Sequence, residues 1–542
     1  MNKAEQILKH ADNLRKQKDF DGAIALYKNI RREDSPEAYA KAQFNLGIAL
    51  KQQGDIEDAI TAYKSIRHED LPKQYAKAQF NLGIALKQKG NIEDAITAYK
   101  SIRREDSPEA YAKAQFNLGI ALKQKGNIED AITAYKSIRR EDSPEAYAKA
   151  QFNLGIALKQ NGNIEDAVAA WGNSKEFYYW QAEALIRIEK QYPNLKKILN
   201  LVISIIENLR LPLNNNEMKV AHYSRATTAL RLLDKQSLSL FRLRTIKTVN
   251  DPMEGLTLNR YLSLCCPQFS SAHAIKTNHQ ESVFISCFTF NHDSLNQFRL
   301  YGKENGQEAS GVSLVFDSRF FNTSVDSNFT FISDNQNIIE SNKIKQPAEP
   351  EEKPSNISLL PIYRCIYIDP ESGYLSLAQR DEITFYREAY ADAGKENTAS
   401  AQKIWKNYQT QMTIKQEEVK QSLDEIIEHI RKISEVENVE DTLNFLLLPL
   451  KYLVKHAAFH EEQECRIMYI TDLSDAKIQS DWENKLMYVN YSGNVSEALD
   501  KIYLSPGAFA YEDFFRRILD TSPHGSKKPR VHRSTNPFRH KS

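Results

Sequence analysis

A block of 36 residues, YAKAQFNLGIALKQKGNIEDAITAYKSIRREDSPEA, recurs almost verbatim along the first third of the chain, with Gly47, Gly83, Gly119 and Gly155 in register. Near-identical units at a fixed period bury their apolar faces by stacking on one another, which makes a solenoid. Each unit spells two helices. Ser107, Pro108 and Glu109 supply an N-cap, an N1 proline and an acid in the first turn. Gly90 stands at the position that ends this helix, and Asn91 at the N-cap of the next. In the second helix Ile92, Ala95, Ile96, Tyr99 and Ile102 fall on one face. Gly83 and Ala95 are small where the two helices must approach closely.

These residues resemble the tetratricopeptide repeat. Leu82-Gly83, Ala95, Tyr99 and a proline near the unit's end match its pattern, in a unit slightly longer than the usual length of about 34. Five units fill residues 1–171; the first is eroded, with Ala11 at the glycine position and Ala23 retained, and the fifth frays after Ala169-Ala170-Trp171. The resemblance implies a protein or peptide partner on the concave face of the first helices. There Lys41, Asn45, Lys77, Asn81, Lys113, Asn117 and Asn153 would form polar ladders. A merely solvated surface is the other reading of the same residues. Residues 172–213 keep a helical pattern without the repeat, as expected of a cap and bridge. LPLNNNE, 211–217, marks the expected boundary.

A length of 542 residues exceeds one core, so further domains are expected. The net charge of +1, with 26% charged residues, implies no polyanionic partner for the whole chain. Five cysteines, with Cys265 and Cys266 adjacent and no Cys-x-x-Cys, point to reduced thiols rather than disulfides or a cysteine zinc site. The start MNKAEQILKHADNLRK has no apolar core of a signal peptide. The longest apolar run, 443–454, is broken by Pro449 and Lys451 and is too short to span a bilayer. A cytoplasmic protein without a membrane segment or a metal is the expectation.

The second half, 218–520, changes character. Strand-like runs appear at 283–289, 312–316, 362–368, 465–470, 486–491 and 501–505, with a large helical insertion at about 375–458. The fold class expected is an all-α solenoid followed by an α+β domain with a mixed or antiparallel sheet. Residues 333–356 read as a mobile polar loop. The basic end, 521–542, reads as a disordered tail; its charge would suit nucleic acid or an acidic surface.

Four clusters in this half carry chemistry-bearing residues. His222-Tyr223-Ser224 opens an expected helix, SRATTALRLL. Asn250-Asp251-Pro252-Met253-Glu254 spells a turn with two acids. Ser286-Cys287-Phe288-Thr289 ends a strand, with Phe298-Arg299-Leu300-Tyr301 a short helix later. The last is Glu462-x-Glu464-x-Arg466, between two apolar runs. In this order they resemble the bacterial domain-of-unknown-function family numbered 2971, over about 220–515. Phe298 and Phe459 stand where that family has tryptophan.

The order also resembles the His-Tyr-Glu plan of ADP-ribosyltransferases, which implies NAD as cofactor. Cleaving nicotinamide from NAD passes through an oxocarbenium-like ribose, which a carboxylate stabilises. The resemblance gives that role to Glu464 and makes Glu462 the group that positions or deprotonates an acceptor. His222 and Tyr223 would hold NAD, His222 as a hydrogen-bond donor, and Ser286 would line the pocket. Arg299 or Arg466 would meet phosphates. A repeat arm beside such a domain is similar to layouts in bacterial conflict and phage-defence proteins. The alternatives are a binding scaffold with a non-catalytic ligand domain, and an edge strand with Glu462, Glu464 and Arg466 on its wet face. His456 and His460 have the i,i+4 spacing of a helical metal pair or, more simply, of two surface histidines.

Overall fold

The computed structural model describes residues 3–17, 19–212, 219–234, 239–246, 254–267, 281–302, 310–322, 356–393, 398–433, 439–521 and 528–536. Asn250, Asp251 and Pro252, with residues 213–217 of the expected boundary and 333–355 of the expected loop, lie outside them. The chain divides into two compact units, Met1–Tyr178 and Tyr179–Ser542.

The first unit is built of helix pairs: α1 (Lys3–Lys16) with α2 (Phe20–Lys28), α3 (Pro36–Gln53) with α4 (Ile56–Lys64), and α5 (Pro72–Gln88) with α6 (Ile92–Lys100). Then come α7 (Pro108–Gln124) with α8 (Ile128–Lys136), and α9 (Pro144–Gln160) with α10 (Ile164–Gln191), of which the part up to Tyr178 belongs to this unit. The last of these leaves helical geometry at Tyr178, where φ is −130° and ψ 43°. Ser35, Ser107 and Ser143 accept from the backbone N–H of Ala38, Ala110 and Ala146, as N-caps do. Asn91 stands at an N-cap but makes no side-chain cap bond. The turn is closed instead by backbone bonds, Gly90 N to Lys87 O and Asn91 N to Leu86 O, with Gly90 at φ +82°.

The repeated Leu-Gly has a steric cause. A Cβ on Gly83 would lie 2.3 Å from the Tyr99 ring, and Gly47, Gly119 and Gly155 meet Tyr63, Tyr135 and Trp171 in the same way. Those aromatic rings are almost completely buried, so each glycine is the socket for the large side chain of the following helix. Gly83→Ala is therefore expected to destabilise the array by about 1–3 kcal/mol through overpacking. Gly172→Ala, where nothing lies within 4 Å of the new Cβ, is expected to be neutral or stabilising. Equal losses in thermal unfolding of the two full-length variants would contradict this origin of the motif.

Strands of the second unit are β1 (Val220–Arg225), β2 (Phe241–Thr245), β3 (Glu281–Thr289), β4 (Gly311–Phe316), β5 (Asn356–Ile357), β6 (Tyr363–Arg364) and β7 (Ile366–Ile368). They continue as β8 (Leu375–Leu377), β9 (Val454–His456), β10 (Glu464–Asp472), β11 (Ile478–Asp481), β12 (Leu486–Tyr491), β13 (Leu499–Leu504) and β14 (Arg530–Arg533). Among the described residues, one sheet runs β11-β12-β2-β3-β1-β4-β13-β14, with β10 joined to β3 and β6, and β5 to β12. A second, of three strands, is β8-β7-β9. The pairing is mixed, since β5 with β12, β13 with β14 and β7 with β9 are parallel and the rest antiparallel.

Several expectations change here. His222, Tyr223 and Ser224 lie in β1, and the helix begins only at Ala226, because β1 pairs along its whole length with β4. Residues 362–368 are not one strand: the chain switches sheets at Cys365, whose N–H goes to Glu464 O while that of Ile366 goes to Leu453 O. The basic tail is not wholly disordered, since Arg530–Arg533 add a strand to β13 and Ser534 Oγ donates to Asp293 at 2.6 Å.

The expected bridge is also divided, because its helix α11 (Lys196–Leu209) belongs to the second unit's core. Ile198, Val202, Ile205, Ile206 and Leu209 share that core with Val283, Ile285, Met468 and Ile470 of the sheet. Further helices are α12 (Ala226–Leu233), α13 (Thr257–Cys265), α14 (Leu295–Tyr301) and, in the insertion, α15 (Glu382–Ala393), α16 (Thr398–Ile433), α17 (Val439–Leu446) and α18 (Leu448–Lys451). Val419, Leu423, Ile426 and Ile430 of α16, at helical spacing, pack into the same core. No helix of the described residues is long and apolar enough to cross a membrane.

Candidate functional site

Strand β3 is paired with β10 from Glu281 to Thr289, but its other side is shared. There β2 pairs at Phe284 and Ile285, and β1 only at Thr289. Between these contacts the sheet splits beside residues 286–288. A cavity of about 720 Å³ opens at the split, lined by His222, Tyr223, Ser286, Tyr301, Glu462 and Glu464 among others. By register, Glu464 and Arg466 lie on the face of Thr289 and Cys287, whereas Ser286 lies on the opposite face beside Ile467. Both faces contribute because the opening lies in the sheet itself.

The imidazole of His222 spans part of this gap. Its Nδ1 lies 2.9 Å from the carbonyl of Cys287, so Nδ1 carries the proton and donates. Phe241 and Phe288 flank the ring at 5.0 and 5.5 Å between centroids. Burial lowers its pKa to about 4, outweighing the bond to Cys287. A neutral ring with its proton on Nδ1 leaves Nε2 as an acceptor, so the donor role expected for His222 is reversed. Tyr223 has its hydroxyl already engaged: it donates to Asn291 O at 2.8 Å and accepts from Ser294 N at 2.8 Å.

The glutamates stand in a buried ion network. Glu464 is only 4% exposed and Arg466 0%, on a strand buried along nearly all its length, so neither lies on the wet face of an edge. Arg466 Nε donates to Glu464 at 2.6 Å, and its two other nitrogens grip Glu254 at 2.5 and 2.9 Å. A further bond from Nη1 reaches Tyr452 O at 2.6 Å. Lys455, set on β9, holds both carboxylates, Glu462 at 2.5 Å and Glu464 at 2.6 Å. Burial alone would raise the Glu464 carboxyl, but Arg466 and Lys455 hold it well below the usual range. Glu462 moves the other way, raised by burial and by Glu464 beside it against the pull of Lys455. Two neighbouring carboxyl groups pushed apart in this way are suited to different proton states.

Backbone geometry fixes the junction. Gln463 has φ +46°, uncommon outside glycine, and its side chain compensates by accepting from Gln379 N and donating to His460 O, both at 2.7 Å. Glu464 N donates to the Tyr367 hydroxyl at 2.8 Å. His456 ends β9 and His460 lies in a short 3-10 turn, so they do not share an α-helical face.

Two expected phosphate ligands are displaced. Arg299 is exposed on α14 and is not among the residues lining the cavity. Arg466 is spent on Glu254 and Glu464 behind the cavity wall, and Glu254, the described acid of the second cluster, thereby gains its role. Lys455 falls outside the expected site residues, although a lysine directly after the apolar run 443–454 is a visible signal.

In the repeats, Asn45 donates to Asp12 at 2.8 Å and Asn153 to Lys149 O at 3.2 Å. Lys113 pairs with Glu109 at 2.5 Å, and Lys41 is exposed. Burial, with Lys73 and Lys113 nearby, lowers the pKa of Lys77. Asn81 and Asn117 are half-buried.

The histidine gives a direct check. Its depressed pKa means that the unfolded chain takes up a proton below pH 6.5 that the folded chain refuses down to about pH 4. Stability linked to this group is therefore present above about pH 6.5 and declines as pH falls toward 4. Imidazole nitrogen NMR should find His222 neutral at pH 6 with the proton on Nδ1. A ring that titrates near 6.5, or one protonated on Nε2, would contradict the assignment.

Comparison with known protein families matches two separate stretches of the chain. Residues 8–74, 44–111, 80–146 and 116–177 match the family described as Tetratricopeptide repeat. Residues 297–467 match Protein of unknown function (DUF2971), a span that includes Glu462, Glu464 and Arg466 but not His222, Glu254 or Ser286. No curated protein matches the chain. Among solved structures, the chain is similar to the crystal structure of MamA, at 26% identity and a TM-score of 0.25, covering 31% of this chain and 92% of that one. It is similar to YrrB, described as a TPR protein with an unusual peptide-binding site, at 18% identity and a TM-score of 0.25, covering 31% and 84%. A tetratricopeptide repeat protein from Parabacteroides merdae is matched at 18% identity and a TM-score of 0.29, covering 37% and 79%. Residues 8–177 are thus tetratricopeptide repeats, and residues 297–467 carry the family signature of unknown function.

Proposed function

We propose that the second unit is an NAD-using enzyme of the ADP-ribosyltransferase or NAD-cleaving kind. The repeats would bind a protein or peptide partner and so recruit the enzyme to its target. The observation that carries the enzyme reading is the convergence of His222, Ser286, Tyr301, Glu462 and Glu464 on one cavity of small-molecule size. Breaking the bond from ribose C1 to nicotinamide sends the electron pair to the departing ring and leaves positive charge on C1 and the ring oxygen. Glu464, kept ionised by Arg466 and Lys455, is a fixed negative charge to meet it. Glu462, with its raised pKa, suits removing the proton of the water or acceptor group that adds to C1. His222 Nε2 suits accepting a hydrogen bond from a ribose hydroxyl, and Tyr301 offers an aromatic face to the leaving ring.

A second reading is favoured by one observation: Glu464 is already neutralised by two cations. In that reading the cavity binds its ligand without turning it over. Incubating the full chain with NAD and following nicotinamide separates the two. The enzyme reading expects release by the unmodified protein and a rate lower by about 100-fold to 1000-fold in Glu464→Gln. Thermal unfolding of the variant, run alongside, shows whether it is folded, because this carboxylate belongs to a buried network and its replacement is not expected to be silent for stability. NAD binding without nicotinamide release would support the non-catalytic reading, and absence of NAD binding would overturn the enzyme reading.

A further inference from the structure

The cavity has a second chemical pole. Arg225 at the end of β1, Arg231 on α12, and Arg242 and Arg244 on β2 all line it. Strand β3 stands between β1 and β2 on one side and β10, with its glutamate, on the other. Along β2 the burial alternates: Phe241, Leu243 and Thr245 are buried while Arg242 and Arg244 are exposed on the other face. Arg242 stacks on Tyr488, its guanidinium 4.0 Å from the ring centroid. Among the described residues, no carboxylate makes an ion pair with Arg225, Arg231 or Arg244. Partial desolvation at the cavity wall, with Arg242 and Arg225 nearby, lowers the pKa of Arg244 even though the residue is exposed. Like charges gathered without counter-charge destabilise a fold, and an anionic ligand relieves that cost.

Guanidinium groups match phosphate oxygens with paired N–H donors, and several of them suit more than one phosphoryl group. The volume, about 720 Å³, holds a nucleotide-sized molecule. A whole-chain charge of +1 does not favour a nucleic-acid strand. We infer that the arginine wall is a diphosphate subsite, so that the cavity takes a nucleoside diphosphate or a dinucleotide built on one. This rests on the same cavity as the NAD reading and deepens it, since NAD contains such a diphosphate, but it does not require any bond to be cleaved.

Calorimetric titration of the full chain with ADP, adenosine and inorganic pyrophosphate tests it. ADP should bind at least about 10-fold tighter than adenosine, because its phosphates add charge-assisted hydrogen bonds to the guanidinium groups. Pyrophosphate should compete with ADP. The double variant Arg225→Gln, Arg244→Gln should lose about 10-fold or more in ADP affinity, whereas Arg530→Gln, on β14 and absent from the cavity lining, should not change it. Should the double variant not fold, Arg244→Lys keeps the charge without the paired donors and should still weaken ADP measurably. Equal affinity for ADP and adenosine, unchanged ADP affinity in the arginine variants, or a single-stranded oligonucleotide that binds more tightly than ADP would overturn the inference. ADP bound through the arginines without nicotinamide release from NAD would leave it standing and remove the enzyme reading. Nicotinamide release with ADP affinity indifferent to the arginines would do the reverse.

Discussion

A fully buried guanidinium is unfavourable unless counter-charge meets its donors, and Arg466 draws that charge from two distant parts of the chain. Glu254 takes two of its nitrogens and Glu464 a third. Lys455 then bridges Glu464 to Glu462, so β9, β10 and the turn before α13 are tied together by one set of charges. Removing one partner from such a set leaves the others buried and unpaired, which typically costs about 3–5 kcal/mol. The network thus does two things at once. It holds β10 in place within an apolar core, and it sets the charge of the carboxylates at the cavity edge.

The cavity itself follows from how the sheet is paired. Because β1 and β2 touch β3 at different points, the backbone between them lacks a continuous ladder partner. An open stretch of this kind is unfavourable when buried, and His222 meets part of it by donating to the Cys287 carbonyl. That bond determines the tautomer and with it the chemistry the ring offers. The opening lets residues from both faces of the sheet reach one space, with carboxylates on the β10 side and arginines on the β1 and β2 side. A ligand with an anionic part and a part that acquires positive charge is complementary to such a field.

Much of this is legible from residue patterns, for identifiable reasons. The repeats declare themselves because each unit reuses the same glycine socket, such as Gly83 for Tyr99, so the constraint is printed once per period. Runs such as 486–491 coincide with β12, since β-branched and aromatic residues between turn formers have few other uses. His222, Ser286 and Glu464 reach one cavity through the pairing of β1, β3 and β10, which no single cluster displays. What escapes is non-local. β1 reads as the opening of a helix because the amphipathic run after Ser224 dominates the window, while the pairing with β4 that makes it a strand comes from residues 311–316. The split of 362–368 between two sheets depends on partners at Leu453 and Glu464. Lys455 carries no motif, and only its position directly after an apolar stretch hints at burial with a counter-charge. The alternation Arg242-x-Arg244 is visible but has no meaning until β2 is seen to border the cavity.

The most direct test of the central claim is a double-mutant cycle across Arg466, read by hydrogen exchange of the amides of residues 464–472 in the full chain. Glu254→Gln and Glu464→Gln remove carboxylates that touch the same guanidinium from distant parts of the sequence. If the network acts as one unit, the two changes in opening free energy should couple by at least about 1 kcal/mol. Additivity within about 0.5 kcal/mol would show that the two carboxylates act independently, and the account of β10 as held by a single charge network would be wrong.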